Sequence, residues 1–163
     1  MVQVYADDVL IYDPNLEGHE LLELRATTSL EKAGTAEIKM PQDHPAYNIF
    51  TSFRSVVTIY RAGELLFRGR SLYPTDDFLN SRTITCEGER CFLRDSVLPP
   101  HLYQTDPETI FRDIIARHNA QVDAFKRFRV GEVTVTDPND YIRLESESAK
   151  QISDVIDNLV ERC

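Results

Sequence analysis

LLFRGRSLYPTDDFLNSRTITCEGERCFLRD, residues 65–95, is the stretch whose reading decides the fold. Residues 65–74 form a strand-like run, 76–81 are polar and turn-forming, and in 82–88 Thr83 and Thr85 alternate with Ile84 and Cys86. A period of two places alternate side chains on opposite faces of a sheet, so the stretch predicts a long antiparallel hairpin. Gly69 lies inside its first arm, where a glycine weakens a strand and marks a bulge or the close approach of another backbone. Gly88 ends the second arm. Residues 89–95 then turn as a short helix, expected to drop Cys91, Phe92 and Leu93 toward the sheet as a lid.

Upstream, residues 2–5 and 9–12 alternate around Ala6-Asp7-Asp8 and predict an opening hairpin, stopped by Asp13-Pro14-Asn15 because proline has no ladder donor. Residues 21–30 and 35–40 flank Gly34 as a second hairpin, closed by Pro41 and Pro45. Tyr47, Ile49, Phe50 and Phe53 fall in a segment that reads as one helical turn or as an apolar loop over the open end of a barrel. Residues 56–61 are a further strand, with Ala62-Gly63 as the tight turn into Leu65. About six strands joined mostly by hairpins predict a small antiparallel barrel or sandwich over residues 1–95.

The pattern changes over residues 96–163. Pro99-Pro100 is a stiff connector, and Thr105-Asp106-Pro107-Glu108 reads as a capping box in which the Thr105 hydroxyl accepts from the Glu108 amide. Ile110, Phe111, Ile114, Ile115 and His118 follow at helical spacing, giving a helix over about residues 106–119 with one apolar face. Residues 128–135 read as a strand pair broken at Gly131, and Asp137-Pro138-Asn139-Asp140 as a turn. Ser148 and Gln151 suggest a second capping box, before an amphipathic helix carrying Ala149, Ile152, Val155, Ile156, Leu159, Val160 and Cys163. The fold class expected is therefore α+β: an antiparallel barrel or sandwich (1–95), then a smaller α/β region with two amphipathic helices (96–163). That last helix has no stop signal, so the second region is expected to continue beyond Cys163.

Composition narrows the chemistry. The chain has 163 residues, 42% of them hydrophobic, which supports a real core. With 27 acidic against 18 basic side chains its formal charge is -9, the wrong sign for gripping phosphate backbones. Cys86, Cys91 and Cys163 show no paired spacing and read as small apolar side chains in a reducing compartment. No apolar run approaches the length of a membrane span, and the first residues lack the regions of a signal peptide, so synthesis in the cytoplasm is expected.

No catalytic motif is present: neither a nucleophile elbow, a phosphate-binding loop, a dinucleotide fingerprint nor a zinc-protease helix. Catalytic, cofactor and metal residues are all read as none. His19, His44, His101 and His118 have no second ligand at metal spacing, and His118 falls on the apolar stripe of its helix as a core-edge histidine. Asp7-Asp8, Asp76-Asp77 and Glu87 with Glu89 are paired acids, a pattern that serves acid/base or cation chemistry, yet each lies at a turn or strand end where solvated acids are ordinary. Arg54, Arg61, Arg68 and Arg70 with Tyr60 and Tyr73 form a basic and aromatic group, read as cross-strand partners of nearby acids on the outer face rather than as an anion site.

The order of elements resembles the N-terminal part of phage tail hub proteins, the tail-associated (prophage endopeptidase tail-type) group. Residues 65–100 and 105–146 carry the resemblance, above all ETIFRDIIARHNAQV followed by KRFRVGEVTVTD. It implies structural work in a virion: three copies forming a ring at the tail tip, a baseplate hub joining the tail tube, through the distal tail protein, to the tip. It places any endopeptidase or lysin activity in later domains, and implies that DNA only passes through the channel. Acids near Asp76, Asp77, Glu87 and Glu89 are expected to form a negative surface at one end of the barrel. Two other readings stand beside it: a cell-wall-degrading or peptidase domain of a tail protein, favoured by convergent acids or a histidine beside a nucleophile, and a non-phage β-barrel binding module.

Overall fold

Ile84 and Cys86 are fully buried and Thr83 and Thr85 half-buried, so the alternation of the quoted stretch is the pleat of a real strand. The computed structural model describes residues 1–29, 32–135 and 141–163. They divide into two units, Met1–Arg90 and Cys91–Cys163. The chain is α+β, a half-barrel sheet in the first unit and paired ribbons with helices in the second.

The first unit contains β1 (Val2–Ala6), β2 (Val9–Tyr12), β3 (Glu23–Thr27), β4 (Thr35–Met40), β5 (Val56–Arg61), β6 (Glu64–Ser71), β7 (Thr75–Asp76) and β8 (Arg82–Gly88). They pair antiparallel in the order β2-β1-β5-β6-β8-β4-β3, with β7 beside β8. Among the described residues no pairing joins β2 to β3, so the curled sheet stays open there. The four expected hairpins are present. The β1–β2 turn takes Asp7 and Asp8 through positive φ, and the β5–β6 turn does the same with Ala62 and Gly63, the twist a two-residue hairpin turn requires.

In the long hairpin Gly69 pairs with Gly88 and Ser71 with Cys86; after Pro74, Thr75 pairs with Thr83 and Asp76 with Arg82. The register thus slips by one residue at the proline, which has no donor for the ladder. Gly69 marks a close approach rather than a bulge: a Cβ built there would lie 2.0 Å from the Glu87 carbonyl oxygen. The inner face holds Val4, Ile11, Ile38, Met40, Val57, Ile59, Phe67, Ile84 and Cys86. At roughly 1.5–3 kcal/mol for each large side chain fully buried, this face holds the sheet together. The 46–53 segment is a run of turns, not a helix, with Ala46 buried and Tyr47 and Phe50 packed on the same core.

Residues Glu89–Asp95 form the expected short helix, of the 3-10 kind, with Cys91, Phe92 and Leu93 buried. Leu93 belongs to the core of the second unit and Phe92 stands edge-on to Phe125.

The second unit contains β9 (Val97–Leu98), β10 (His101–Thr105), α1 (Pro107–Gln121), β11 (Ile142–Ser146), β12 (Lys150–Gln151) and α2 (Ile152–Arg162). β10 pairs with β11 and β9 with β12, both antiparallel. Leu98, Ile110, Ile114, Ile142, Leu144, Ile152, Val155 and Leu159 form its core. Three local expectations are corrected. The cap of α1 is Asp106, not Thr105: its Oδ1 accepts from the Thr109 amide at 2.8 Å, while the Thr105 hydroxyl donates to Oδ2. Proline at the first helical position shifts the cap by one. Among the described residues, 128–135 form no strand, and side chains of α1 bond parts of their backbone. Asn119 donates to the Phe128 carbonyl at 2.7 Å and accepts from its amide at 2.9 Å, and Arg112 donates to the Gly131 carbonyl. At α2 the second capping box is not made, since Gln151 pairs with Val97 and the Ile152 amide donates to the Ser96 carbonyl. Of its predicted stripe, Ala149, which precedes the helix, and Val160 and Cys163 are exposed. The turn expected at Asp137-Pro138-Asn139-Asp140 lies outside the described residues.

Candidate interaction surfaces

Of the four arginines in the basic and aromatic group, Arg68 and Arg70 meet acids, Arg70 across the strands and Arg68 at the start of the short helix, while Arg54 and Arg61 are exposed. Arg70 and Glu87 are register partners 3.4 Å apart, and Arg68 lies 2.6 Å from Glu89. Arg70 also sits over the Phe53 ring, which stands edge-on to Tyr73, and Tyr60 is edge-on to Tyr5. Pairs of this kind stabilise a sheet modestly and leave little free charge for an anion.

Each acid expected to build a negative surface has a cation against it. Asp76 takes a bidentate pair from Arg82 at 2.7 and 2.8 Å, and Asp77 pairs with Lys39 at 3.0 Å. With Glu87 and Glu89 also paired, the four charges are compensated locally. They also sit at the two ends of β8, roughly 20 Å apart at about 3.3 Å per residue. The expected acidic end is thus two neutralised clusters. Hydrogen bonds from Arg82 hold the Asp76 carboxyl below its ordinary range, and those from Ser81 and Lys39 do the same to Asp77. Asp7 is likewise spent on structure, accepting from the Val56 amide at 2.7 Å.

Arg82 is the residue that sequence reasoning passed over. Besides Asp76 it donates to the Tyr47 carbonyl and Asn48 Oδ1, and it stacks 4.0 Å from the Tyr47 ring centroid, so it pins the 46–50 turns to the hairpin. Its signal was available: a turn over 76–81 sets residue 82 opposite residue 76, an arginine facing an aspartate.

At the hairpin tip Asp77 organises five residues. Its Oδ1 accepts from the Leu79 and Ser81 amides at 2.9 and 3.0 Å, its Oδ2 from the Ser81 hydroxyl, and its own amide donates to the Ser81 carbonyl. Asn80 takes a positive φ to close the turn. The result is a stiff loop that holds Phe78 92% and Leu79 72% exposed. Scattered apolar residues on a surface are normal, but an adjacent aromatic and leucine on a locked turn form a presented feature. Sequence reading treated 76–81 as polar and missed it.

Two concavities lie on the surface. In the first unit a shallow depression of about 350 Å³ is lined by Gln3, Tyr5, Asp8, Thr58, Tyr60 and Gly63, with one carboxylate and no base or nucleophile beside it. In the second, an apolar groove of about 310 Å³ runs between Phe111, Val133, Val135, Leu159 and Val160.

Three of the four histidines fall into two pairings that spacing did not reveal, while His101 lies against the Pro99 carbonyl and the Tyr103 ring. His19 and His44 stand edge to face at 5.6 Å. His44 is buried; its Nδ1 accepts from the Ala46 amide at 3.0 Å, so Nε2 carries the proton and donates to the Ile11 carbonyl. Burial, then the neighbouring His19, push its pKa down. His118 lies beside a hydroxyl, with Ser96 Oγ 2.6 Å from Nδ1 and the Lys126 carbonyl 3.0 Å from Nε2. The carbonyl requires a proton on Nε2, so Nδ1 accepts from Ser96. Both side chains are buried, at 0% and 1% exposure, out of reach of any substrate. Cys86 and Cys91 are buried and Cys163 exposed, and burial pushes the Cys86 thiol up to about 12. Among the described residues no cluster of three or more His, Cys, Asp or Glu is arranged to hold a metal, and no helix is long and apolar enough to cross a membrane.

No family model and no curated protein matches the chain. Solved structures do. A prophage tail protein, gp18 from Listeria monocytogenes EGD-e, superposes with a TM-score of 0.60 at 13% identity, over 99% of this chain and 45% of its own. The 43 kDa tail protein of prophage MuSo2 from Shewanella oneidensis superposes with a TM-score of 0.57 at 17% identity, over 98% of this chain and 48% of its own. At these identities what is shared is the fold, and the chain spans about half the length of either protein.

Proposed function

We propose that this chain is a structural component of a bacteriophage or prophage tail. In our reading it belongs to the baseplate hub at the tail tip, where three copies form a ring connecting the tail tube and distal tail protein to the tip. The observation that carries the proposal is the agreement of fold along nearly the whole chain with two prophage tail proteins. The chemistry is in keeping with mechanical work. Charged side chains along the long hairpin are spent on one another, the serine–histidine pair is sealed in a core, and the apolar groups left over lie on surfaces. In that role the chain is made in the host cytoplasm and ends in the virion, and DNA passes the assembled ring without being gripped. Tails purified from the phage or induced prophage encoding the chain test this: gold-labelled antibody should mark the tail tip, and deletion should leave particles without a completed tip. Purified particles lacking the protein would remove the proposal.

A further inference from the structure

Val4, Ala6, Val57 and Ile59 point into the core, which turns Gln3, Tyr5, Thr58 and Tyr60 to the outer face of β1 and β5. Gln3 is the register partner of Tyr60 and Tyr5 of Thr58, and the two tyrosines stand edge-on with ring centroids 5.8 Å apart. With Asp8 from the β1–β2 turn and Gly63 from the β5–β6 turn they line the depression of about 350 Å³. Elsewhere on this sheet polar side chains are spent on one another, as Arg82 is on Asp76 and Lys39 on Asp77. Here, among the described residues, nothing in the protein bonds the hydroxyls of Tyr5, Thr58 and Tyr60 or the Asp8 carboxylate, and Gln3, which donates to Asp13 at 2.7 Å, keeps its amide oxygen. We propose that this depression binds a neutral carbohydrate.

Chemistry selects the class. A pyranose has an apolar C–H face and a rim of hydroxyls that each donate and accept; a tyrosine ring suits the face, while hydroxyls, an amide oxygen and a carboxylate suit the rim. The volume falls within the range of small-molecule sites, and because about 150 Å³ holds one six-membered ring there is room for about two. Charge narrows the choice. Asp8 is the one charged residue lining the depression, so a phosphate, a sulfate or a uronic acid would be repelled. An ammonium cage needs ring faces turned to one cation, whereas in this edge-on pair one ring's edge occupies a face of the other and leaves a platform. Because Gln3, Tyr5, Thr58 and Tyr60 stand on strands in continuous register, little order has to be imposed when a ligand arrives. The site goes beyond the tail role and does not rest on it.

Saturation-transfer NMR and titration of the whole chain with neutral oligosaccharides of glucose, galactose and N-acetylglucosamine test it. At least one should bind with a Kd of about 1 mM or tighter, with saturation passing to the C–H face of a sugar ring. Tyr5→Ala and Tyr60→Ala should each weaken binding at least about tenfold, as loss of an aromatic anchor does. Thr58→Val, which keeps shape and strand preference, should weaken it about threefold or more through the lost hydroxyl. Asp8→Asn, a residue that tolerates the positive φ there, should hold neutral-sugar binding within about threefold, since its amide still bonds a hydroxyl. Circular dichroism checks that each variant folds, and should a tyrosine variant fail to fold, Thr58→Val carries the test. No binding by any of these sugars at about 10 mM would overturn the proposal. So would binding that ignores the tyrosine and threonine substitutions, or tetramethylammonium bound more tightly than every sugar and released by Asp8→Asn. Labelling of tail tips reads none of this, so either proposal can fail alone.

Discussion

Gly69 and His44 show how single residues set the first unit. At Gly69 the sheet has no room for a Cβ, because the Glu87 carbonyl of the neighbouring strand lies 2.0 Å from where it would be. Backbone cannot yield as a flexible side chain does. Gly69→Ala should cost at least about 2 kcal/mol of stability in urea unfolding, and an unchanged midpoint would show that the strands separate freely there. The glycine was legible in the sequence; that its reason was crowding and not a bulge depended on which strand came alongside. His44 makes stability depend on pH. Its folded pKa is below the ordinary imidazole value of 6.5, so the unfolded chain takes up the proton first. Stability is therefore complete above 6.5 and is lost as pH falls through that value toward the folded pKa. Protonation at Nδ1 would also set two donors face to face, since the Ala46 amide already points there. The urea midpoint should fall between pH 7 and pH 5, and His44→Gln, whose amide can serve both partners, should flatten that slope. An equal slope in the variant would move the effect to another group.

Elements come next, where cap and clamp decide outcomes that spacing does not. The helical periodicity of Ile110, Ile114, Ile115 and His118 is an apolar face, and all four are buried. The first residue of the helix is a finer matter, decided by which side chain reaches the free amide. Asp106→Ala should lower the thermal midpoint of the helix signal more than Thr105→Ala, because Asp106 makes the cap directly and Thr105 only supports it. The reverse order would restore the capping box first expected. Residues 128–135 have the composition of strands, yet at Phe128 it is Asn119 from a helix that offers both a donor and an acceptor, so that residue's backbone is satisfied without a ladder. The hairpin tip gives the complementary lesson: a polar stretch in composition becomes an apolar knob once Asp77 turns inward and leaves Phe78 and Leu79 outside.

For the molecule as a whole, the sign and pairing of its charges are the most direct physical handle. With net charge -9 and the cations of the hairpin engaged by acids, the chain should not retard duplex DNA in a gel even at about 50 mM salt. A salt-sensitive shift would reveal a basic face and undo the reading of DNA as a passer-by. By itself the sequence determined the α+β class, the hairpins of the half-barrel, both helices and the burial of most of their apolar stripes, though not of Val160 and Cys163. These rest on periods of two and of about 3.6 residues and on turn chemistry, which act over a few neighbours. Only the tertiary structure decided that 97–98 pair with 150–151 and 101–105 with 142–146, that Asp77 meets Lys39, and that Ser96 seals against His118. Those partners are far apart along the chain, and no local pattern names them. They are chosen when apolar faces are buried together and each buried polar group must find what remains within reach.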